Sequence, residues 1–110
     1  MAYDEGLAER VRFLLEGEAG LIEKRMFGGL AFLIGGNMAV AASGQGGLMV
    51  RVDPDQGDEL AQTTAAEPME MRGRVMTGWL RLPDGAVADD DALEEWVRRG
   101  AAYAAGLPPK

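Results

Sequence analysis

The sequence predicts an α+β fold with its elements in the order α-β-β-β-α-β-β-α. Apolar residues recur at helical spacing near both ends of the chain, and short apolar runs separated by glycine-rich turns fill residues 24–52. The chain has 110 residues, of which 47% are apolar, so it can bury one continuous core but has no room for a second domain. We therefore expect residues 1–110 to form a single domain.

The first helix is predicted between Asp4 and Glu16. Its apolar residues are spaced so that they share one helical face, and they are Leu7, Val11, Leu14 and Leu15. Asp4 is placed to cap the N-terminus, because an Asp side chain there accepts a hydrogen bond from an unpaired backbone N–H. Residues 17–23 contain two glycines and little periodicity, so we expect them to form a loop that leads into a strand.

The next part of the chain predicts a glycine-hinged apolar hairpin from Met26 to Ala42, followed by a third strand that ends at Val52. Its turns are indicated by glycine together with Asn, Ser or Gln at residues 35–37 and 43–47. The first strand is apolar at both odd and even positions, so both of its faces are apolar. A sheet of this kind has helices on one face and often a second subunit on the other, which leads us to expect a homodimer.

A second helix is indicated by Asp53 as its N-cap and Pro54 at its first position, and we expect it to end near Gln62. Two more short strands are predicted between Met69 and Leu82. They are interrupted at Gly73 and Gly78. Together with the first three strands they give an antiparallel sheet of about five strands with helices packed on it.

The last helix has the clearest pattern in the sequence. Its apolar and small residues recur at intervals of 3, 4, 7, 8 and 11, and they are Leu93, Trp96, Val97, Gly100, Ala101 and Ala104. Asp91 and Glu94 have the spacing of a capping box, which places the helix start near Asp91. A glycine followed by proline, in the segment 106–108, predicts the end of the helix.

Composition excludes the common catalytic and metal-binding sites. The chain contains no His and no Cys, so it lacks the usual general base, the usual transition-metal ligand and any thiolate chemistry. The three consecutive carboxylates at residues 89–91 are better explained by helix capping than by a divalent cation. We therefore expect a protein that is not an enzyme and that needs no cofactor and no metal.

The net charge is −7, from 18 acidic and 11 basic residues, which weighs against direct binding to nucleic acid over the whole surface. No apolar run approaches the ~18 residues of a membrane span, and the first residues of the chain are acidic. We expect a cytoplasmic protein without a membrane partner.

Three arginines form the most interesting charged set. Arg25, Arg72 and Arg74 flank predicted strand ends, and together they could receive the carboxylates or phosphate of a partner. The alternative is that they are solvated or paired with nearby carboxylates. The candidates for that pairing are Glu23, Glu67 and Glu70.

Two other features invite a functional interpretation. Gly28 and Gly29 suggest a phosphate-binding loop, but they are expected inside a strand, without a Walker Lys, where glycine allows a bulge or a close backbone approach. Six of the seven methionines fall between Met26 and Met76, and they suit either ordinary core packing or an adaptable binding surface.

Several segments carry a resemblance to a known family, and the most specific are residues 25–32, which read Arg-Met-Phe-Gly-Gly-Leu-Ala-Phe, and residues 76–79, which read Met-Thr-Gly-Trp. The others are Met38-Ala39, residues 48–52, Trp96-Val97, Tyr103 and residues 107–110. In this order they resemble the N-terminal domain of the TfoX/Sxy family, over about residues 7–110. The motif positions are Met26, Phe27, Gly28, Gly29, Gly78, Trp79 and Trp96.

The resemblance implies a two-layer fold with an antiparallel sheet similar to that of secretion chaperones. It also implies a bacterial protein linked to competence, because full-length members act as coactivators with the cyclic-AMP receptor protein at DNA-uptake promoters. Only the N-terminal domain of those members is covered, so we expect a stand-alone copy of it.

The function we expect is therefore a non-enzymatic regulatory or protein-interaction domain, with a possible protein partner in transcription. Two alternatives remain. One is an accessory transcription factor that touches DNA through Arg25, Arg72 and Arg74. The other is a binder or enzyme of a small anionic ligand at the same three residues.

Overall fold

The computed structural model describes residues 3–26 and 28–109 of the chain. Three α-helices and six strands are found there, together with one 3-10 turn over Asp84–Val87. The bounds of the helices and strands are α1 (Glu5–Leu14), β1 (Leu21–Met26), β2 (Gly29–Ile34), β3 (Asn37–Ala42), β4 (Leu48–Arg51), α2 (Pro54–Thr63), β5 (Glu67–Met71), β6 (Arg74–Leu82) and α3 (Asp90–Ala105). The strands form one antiparallel sheet in the order β1-β2-β3-β4-β6-β5, which confirms the predicted α+β class.

The sheet has one strand more than the sequence suggested, because part of the expected loop 17–23 is strand β1. All six residues of β1 pair with β2, from Leu21 opposite Ile34 to Met26 opposite Gly29. The central residues of β1 are charged and exposed, as is common for an edge strand, so they give no apolar pattern to detect. The prediction that both glycines lie in a strand is wrong for Gly28, which lies in the β1–β2 turn with φ 77°, and confirmed for Gly29, which is the first residue of β2.

The helices cover one face of the sheet. Alternate residues of the central strands point to this face and are fully or almost fully buried, namely Leu30, Phe32, Val40, Leu48, Val50 and Leu80. Helix α3 packs on β3 so closely that a Cβ on Gly100 would lie 2.8 Å from a side-chain carbon of Val40. Every residue predicted for the inner face of α3 is buried.

Each α-helix begins at an aspartate cap. The carboxylate of Asp4 accepts a hydrogen bond from the N–H of Leu7 at 3.1 Å, and that of Asp53 accepts one from Asp55 at 2.9 Å. Helix α3 starts two residues earlier than predicted, because Asp89 is its N-cap and accepts from the N–H of Ala92 at 3.0 Å. Asp91 lies instead in the first turn, where its negative charge still favours the helix dipole.

The β5–β6 hairpin is bent. Its two-residue turn consists of Arg72 and Gly73, both with positive φ, as a tight hairpin turn requires. The sequence suggested a break in the strand at Gly78, but β6 continues through this residue, which has φ 87°. The pairing of β6 with β5 changes register in this part of the strand. A Cβ on Gly78 would lie 3.2 Å from Cγ of Pro54, so this position brings β6 against the start of α2.

Among the described residues, no helix is both long enough and apolar enough to cross a membrane.

Candidate functional site

The second face of the sheet is not covered by helices and is lined with methionine. Cross-strand neighbours share a face, and the register places Ala31 opposite Ala41 and Ala41 opposite Met49. These residues alternate with the buried core residues of the same strands, so they point away from the helices. We call this surface the methionine face and define it by Met26, Met38, Met49, Met69, Ala31 and Ala41.

A cavity of about 240 Å³ lies on the methionine face. All six defining residues line it, and its rim includes the β3–β4 turn at residues 43–45 together with Glu70 and Arg72. The four methionines are half-buried, whereas the two alanines beneath them are almost completely buried. The cavity thus has a floor of small side chains and walls of flexible thioethers.

Both edges of the sheet contribute to this cavity, although β1 and β5 are the outermost strands. The sheet therefore curls around its open face. The irregular register between Pro68 and Glu70 and the positive φ of Gly78 supply a bend in the β5–β6 hairpin, because bulges increase the local twist and bend of a strand.

Gly29 closes the other end of the cavity. A Cβ at this position would overlap the carbonyl oxygen of Ala42 and would lie 3.1 Å from the backbone nitrogen of Gly44. The absence of a side chain thus allows the start of β2 to approach the β3–β4 turn. The sequence-based interpretation of this glycine as a site of close backbone approach is confirmed.

Polar side chains also contribute to the rim, and they are Ser43, Gln45, Glu70 and Arg72. The hydroxyl oxygen of Ser43 accepts a hydrogen bond from the backbone N–H of Gln45 at 3.1 Å, so it helps to hold the turn. Within residues 3–26 and 28–109, no group of three or more carboxylate, His or Cys side chains is placed to hold a metal ion. The chemistry that the cavity offers is apolar and polarizable contact, which methionine adapts to partners of different shape.

The three candidate arginines lie at different places. Arg72 and Arg74 flank Gly73 in the β5–β6 hairpin, and Arg72 lines the cavity. Arg25 lies on β1 at the opposite edge of the sheet, opposite Leu30, so it faces the helical side. The structure thus brings two of the three together, and a binding role for the whole set stays a prediction.

Two of the carboxylates considered as partners for these arginines pair elsewhere. Glu23 accepts two hydrogen bonds from the guanidinium of Arg12, at 2.6 and 2.8 Å, which ties β1 to α1. These bonds hold the pKa of Glu23 below its ordinary value. Glu67 lies 3.6 Å from Arg81. In the described part of the chain, none of the three candidate arginines forms an ion pair with a carboxylate.

The residues of the family motifs have distinct structural roles. Met26 and Gly29 line the cavity, whereas Phe27 lies outside the described residues. Trp79 lies beside Arg51, its cross-strand neighbour, with 5.4 Å between the guanidinium carbon and the ring centre. Trp96 belongs to α3 and is buried in the core.

The sequence did not reveal that Met38, Met49 and Met69 belong to one surface. It also did not single out Lys24, which lies opposite Ala31 on the same face. A partial signal was present, since Met49 alternates with two buried residues of β4. The convergence of the three methionines depends on the pairing of distant strands, which the pattern of one strand does not reveal.

The fold and its open face define a small α+β domain with a sheet covered on one side only. The chain belongs to the family of the TfoX N-terminal domain, whose model matches residues 14–104. A search of curated proteins found no significant match.

Proposed function

We propose that this chain is a non-enzymatic protein-interaction domain with a regulatory role, and that the methionine face is its binding surface. The observation that supports this most strongly is the methionine-lined cavity on the uncovered face, to which both edges of the sheet contribute. Concave surfaces lined by apolar side chains together with a few polar groups are typical of binding sites in folded proteins.

The strength of such an interaction can be bounded. Full burial of one methionine side chain contributes about 1.5–3 kcal/mol, so four half-buried methionines offer on the order of 3–6 kcal/mol before the costs of association. A micromolar complex needs about 8 kcal/mol. Further contacts from the rim of the cavity or from partner backbone are therefore part of the interaction.

The regulatory part of the proposal is supported by the resemblance to the TfoX/Sxy family, which implies a coactivator role for its full-length members, whereas the family match itself concerns the N-terminal domain alone. The homodimer and the cytoplasmic location expected from the sequence remain predictions. A small anionic ligand remains a second hypothesis, and a thermal-shift screen with nucleotides, phosphates and carboxylates would test it by the stabilisation that binding produces.

The proposed function is tested with peptides selected from a random library against the intact protein. Replacing Met49 and Met69 together by Gln removes apolar contact while keeping side-chain length and charge. We expect this double variant to bind the selected peptides about tenfold more weakly, as for the loss of contacts at the centre of an interface. Met76→Gln is the matched control, because Met76 is half-buried but does not line the cavity. Equal affinity of the double variant and the wild type would contradict the proposed function.

A further inference from the structure

Charge is distributed unevenly between the two sides of this domain. Only three of the 18 acidic residues lie on strands, and they are Glu23, Glu67 and Glu70. The strands carry five of the 11 basic residues, and they are Lys24, Arg25, Arg51, Arg74 and Arg81. The strands thus carry a net charge of +2, while the other 15 acidic and 6 basic residues give the rest of the chain a net charge of −9.

The same asymmetry appears in the ion pairs. Four of the five arginines that pair with carboxylates lie on α1 or α3, and they are Arg10, Arg12, Arg98 and Arg99. Within residues 3–26 and 28–109, the cations without a carboxylate partner are all on strands or in the β5–β6 turn. Arg51 lies over the rings of Trp79 and Tyr103, whereas the positive charge of Lys24, Arg25, Arg72 and Arg74 is available to an external partner.

Two of these cations lie at the methionine face. Arg72 lines the cavity, and Lys24 shares the face of Ala31, which forms part of the cavity floor. Both side chains are exposed. The carboxylate of Glu67 on the same face is engaged by Arg81, which leaves Glu70 as the opposing charge at the rim.

We infer that the methionine face binds an acidic segment of a partner protein, and that this segment also carries large apolar side chains. This inference rests on the function proposed above. Its apolar side chains fill the cavity between the methionines. Its carboxylates meet Lys24 and Arg72, which fix the register of the segment and favour it over basic or neutral sequences.

Charge also argues against a second copy of this chain in the same position. A second copy would bring to Lys24 and Arg72 the same two cations and, at the rim of its cavity, the single carboxylate of Glu70, so the cations that meet across a twofold axis would outnumber these carboxylates. Like charges across an interface oppose association, and an acidic segment removes that repulsion.

The test compares two double charge reversals in the full chain. Lys24→Glu with Arg72→Glu changes the rim of the methionine face. Arg25→Glu with Arg74→Glu is the matched control, because it changes the net charge equally on the same strand and hairpin, while Arg25 faces the helical side of the sheet and Arg74 does not line the cavity. The probes are the peptides selected from a random library, measured at low salt and at about 0.5 M salt.

We expect the selected peptides to be enriched in Asp and Glu beside large apolar residues. Their affinity falls about five- to tenfold on reversal of Lys24 and Arg72, and it falls much less in the control pair. At high salt the difference in affinity between these two variants largely disappears, because salt screens the charges.

Two other outcomes would overturn the inference while leaving the proposed function in place. One is that peptides lose affinity in the Met49 and Met69 variant but show no acidic enrichment and no response to the reversals. The other is that the protein sediments as a dimer that the same methionine variant dissociates, which would make a second copy the occupant. Peptides that bind without any dependence on Met49 and Met69 would contradict both proposals.

Discussion

Met26 and Met69 lie on the two opposite edge strands of the sheet, yet they line the same cavity. This relationship requires the sheet to curl around its open face. A flat six-stranded sheet would hold its edges about 24 Å apart, because neighbouring strands are about 4.8 Å apart. The cavity is therefore a product of strand curvature, and positions that permit the curvature matter as much as the methionines themselves.

The close approach at Gly29 gives the first prediction. Gly29→Ala places a methyl group against the carbonyl oxygen of Ala42, so β2 or the β3–β4 turn must shift. We expect the free energy of unfolding, measured by urea denaturation, to fall by about 1–3 kcal/mol. Gly85→Ala is the control, since no atom lies within 4 Å of its added Cβ, and its change should stay within about 0.5 kcal/mol. Equal stability of the two variants would show that Gly29 is not a packing constraint.

The second prediction concerns Arg51, whose guanidinium carbon lies 5.4 Å from the ring centre of Trp79 and 5.7 Å from that of Tyr103. Arg51→Met keeps most of the apolar stem but removes the cation. We expect a loss of about 1 kcal/mol in the free energy of unfolding, with a smaller loss for Arg51→Lys. A double-mutant cycle between Arg51→Met and Trp79→Leu measures the coupling directly. A coupling energy of zero would show that the cation–π contact does not stabilise the fold.

The third prediction is a pH dependence at Glu23. Its hydrogen bonds from Arg12 lower the pKa of the carboxyl in the folded state, so the pair stabilises the protein above the unfolded pKa. That stability is lost as the pH falls below about 4 and through the folded pKa. Both side chains are partly exposed, so solvent screening limits the effect to a few tenths of a kcal/mol.

Glu23→Gln should therefore reduce the free energy of unfolding slightly at pH 7 and have no effect at strongly acidic pH. Glu16→Gln, on an exposed residue that follows α1, provides the comparison. A destabilisation by Glu23→Gln that persists unchanged in acid would mean that the charged pair is not its cause.

The parts of the fold that depend on local patterns could be predicted from the sequence. The inner face of α3 and the aspartate caps at Asp4 and Asp53 follow from residue spacing and composition, and the structure confirms them. Strand β1 was missed because an exposed edge strand does not need apolar residues at alternate positions. The helix start at Asp89 was misplaced because three consecutive aspartates are equally suitable as caps.

The methionine face could be predicted only in part. Two-sided apolar strands and the number of methionines indicated a second apolar surface. Its geometry depends on the pairing of β4 with β6 and on the bend of the β5–β6 hairpin, which brings Met69 and Arg72 to the cavity. These contacts join residues far apart in sequence, and no local pattern encodes them.

The most direct test of the central claim is an NMR titration of protein labelled with ¹³C at its methionine methyl groups. The spectrum is assigned by single Met→Leu variants, and the probe is a peptide selected against the intact protein. We predict that the methyl signals of Met26, Met38, Met49 and Met69 shift together as peptide is added, while that of Met76 stays unchanged. Shifts confined to Met76, or no response from the four cavity methionines to a peptide that binds, would contradict the assignment of the methionine face as the binding surface.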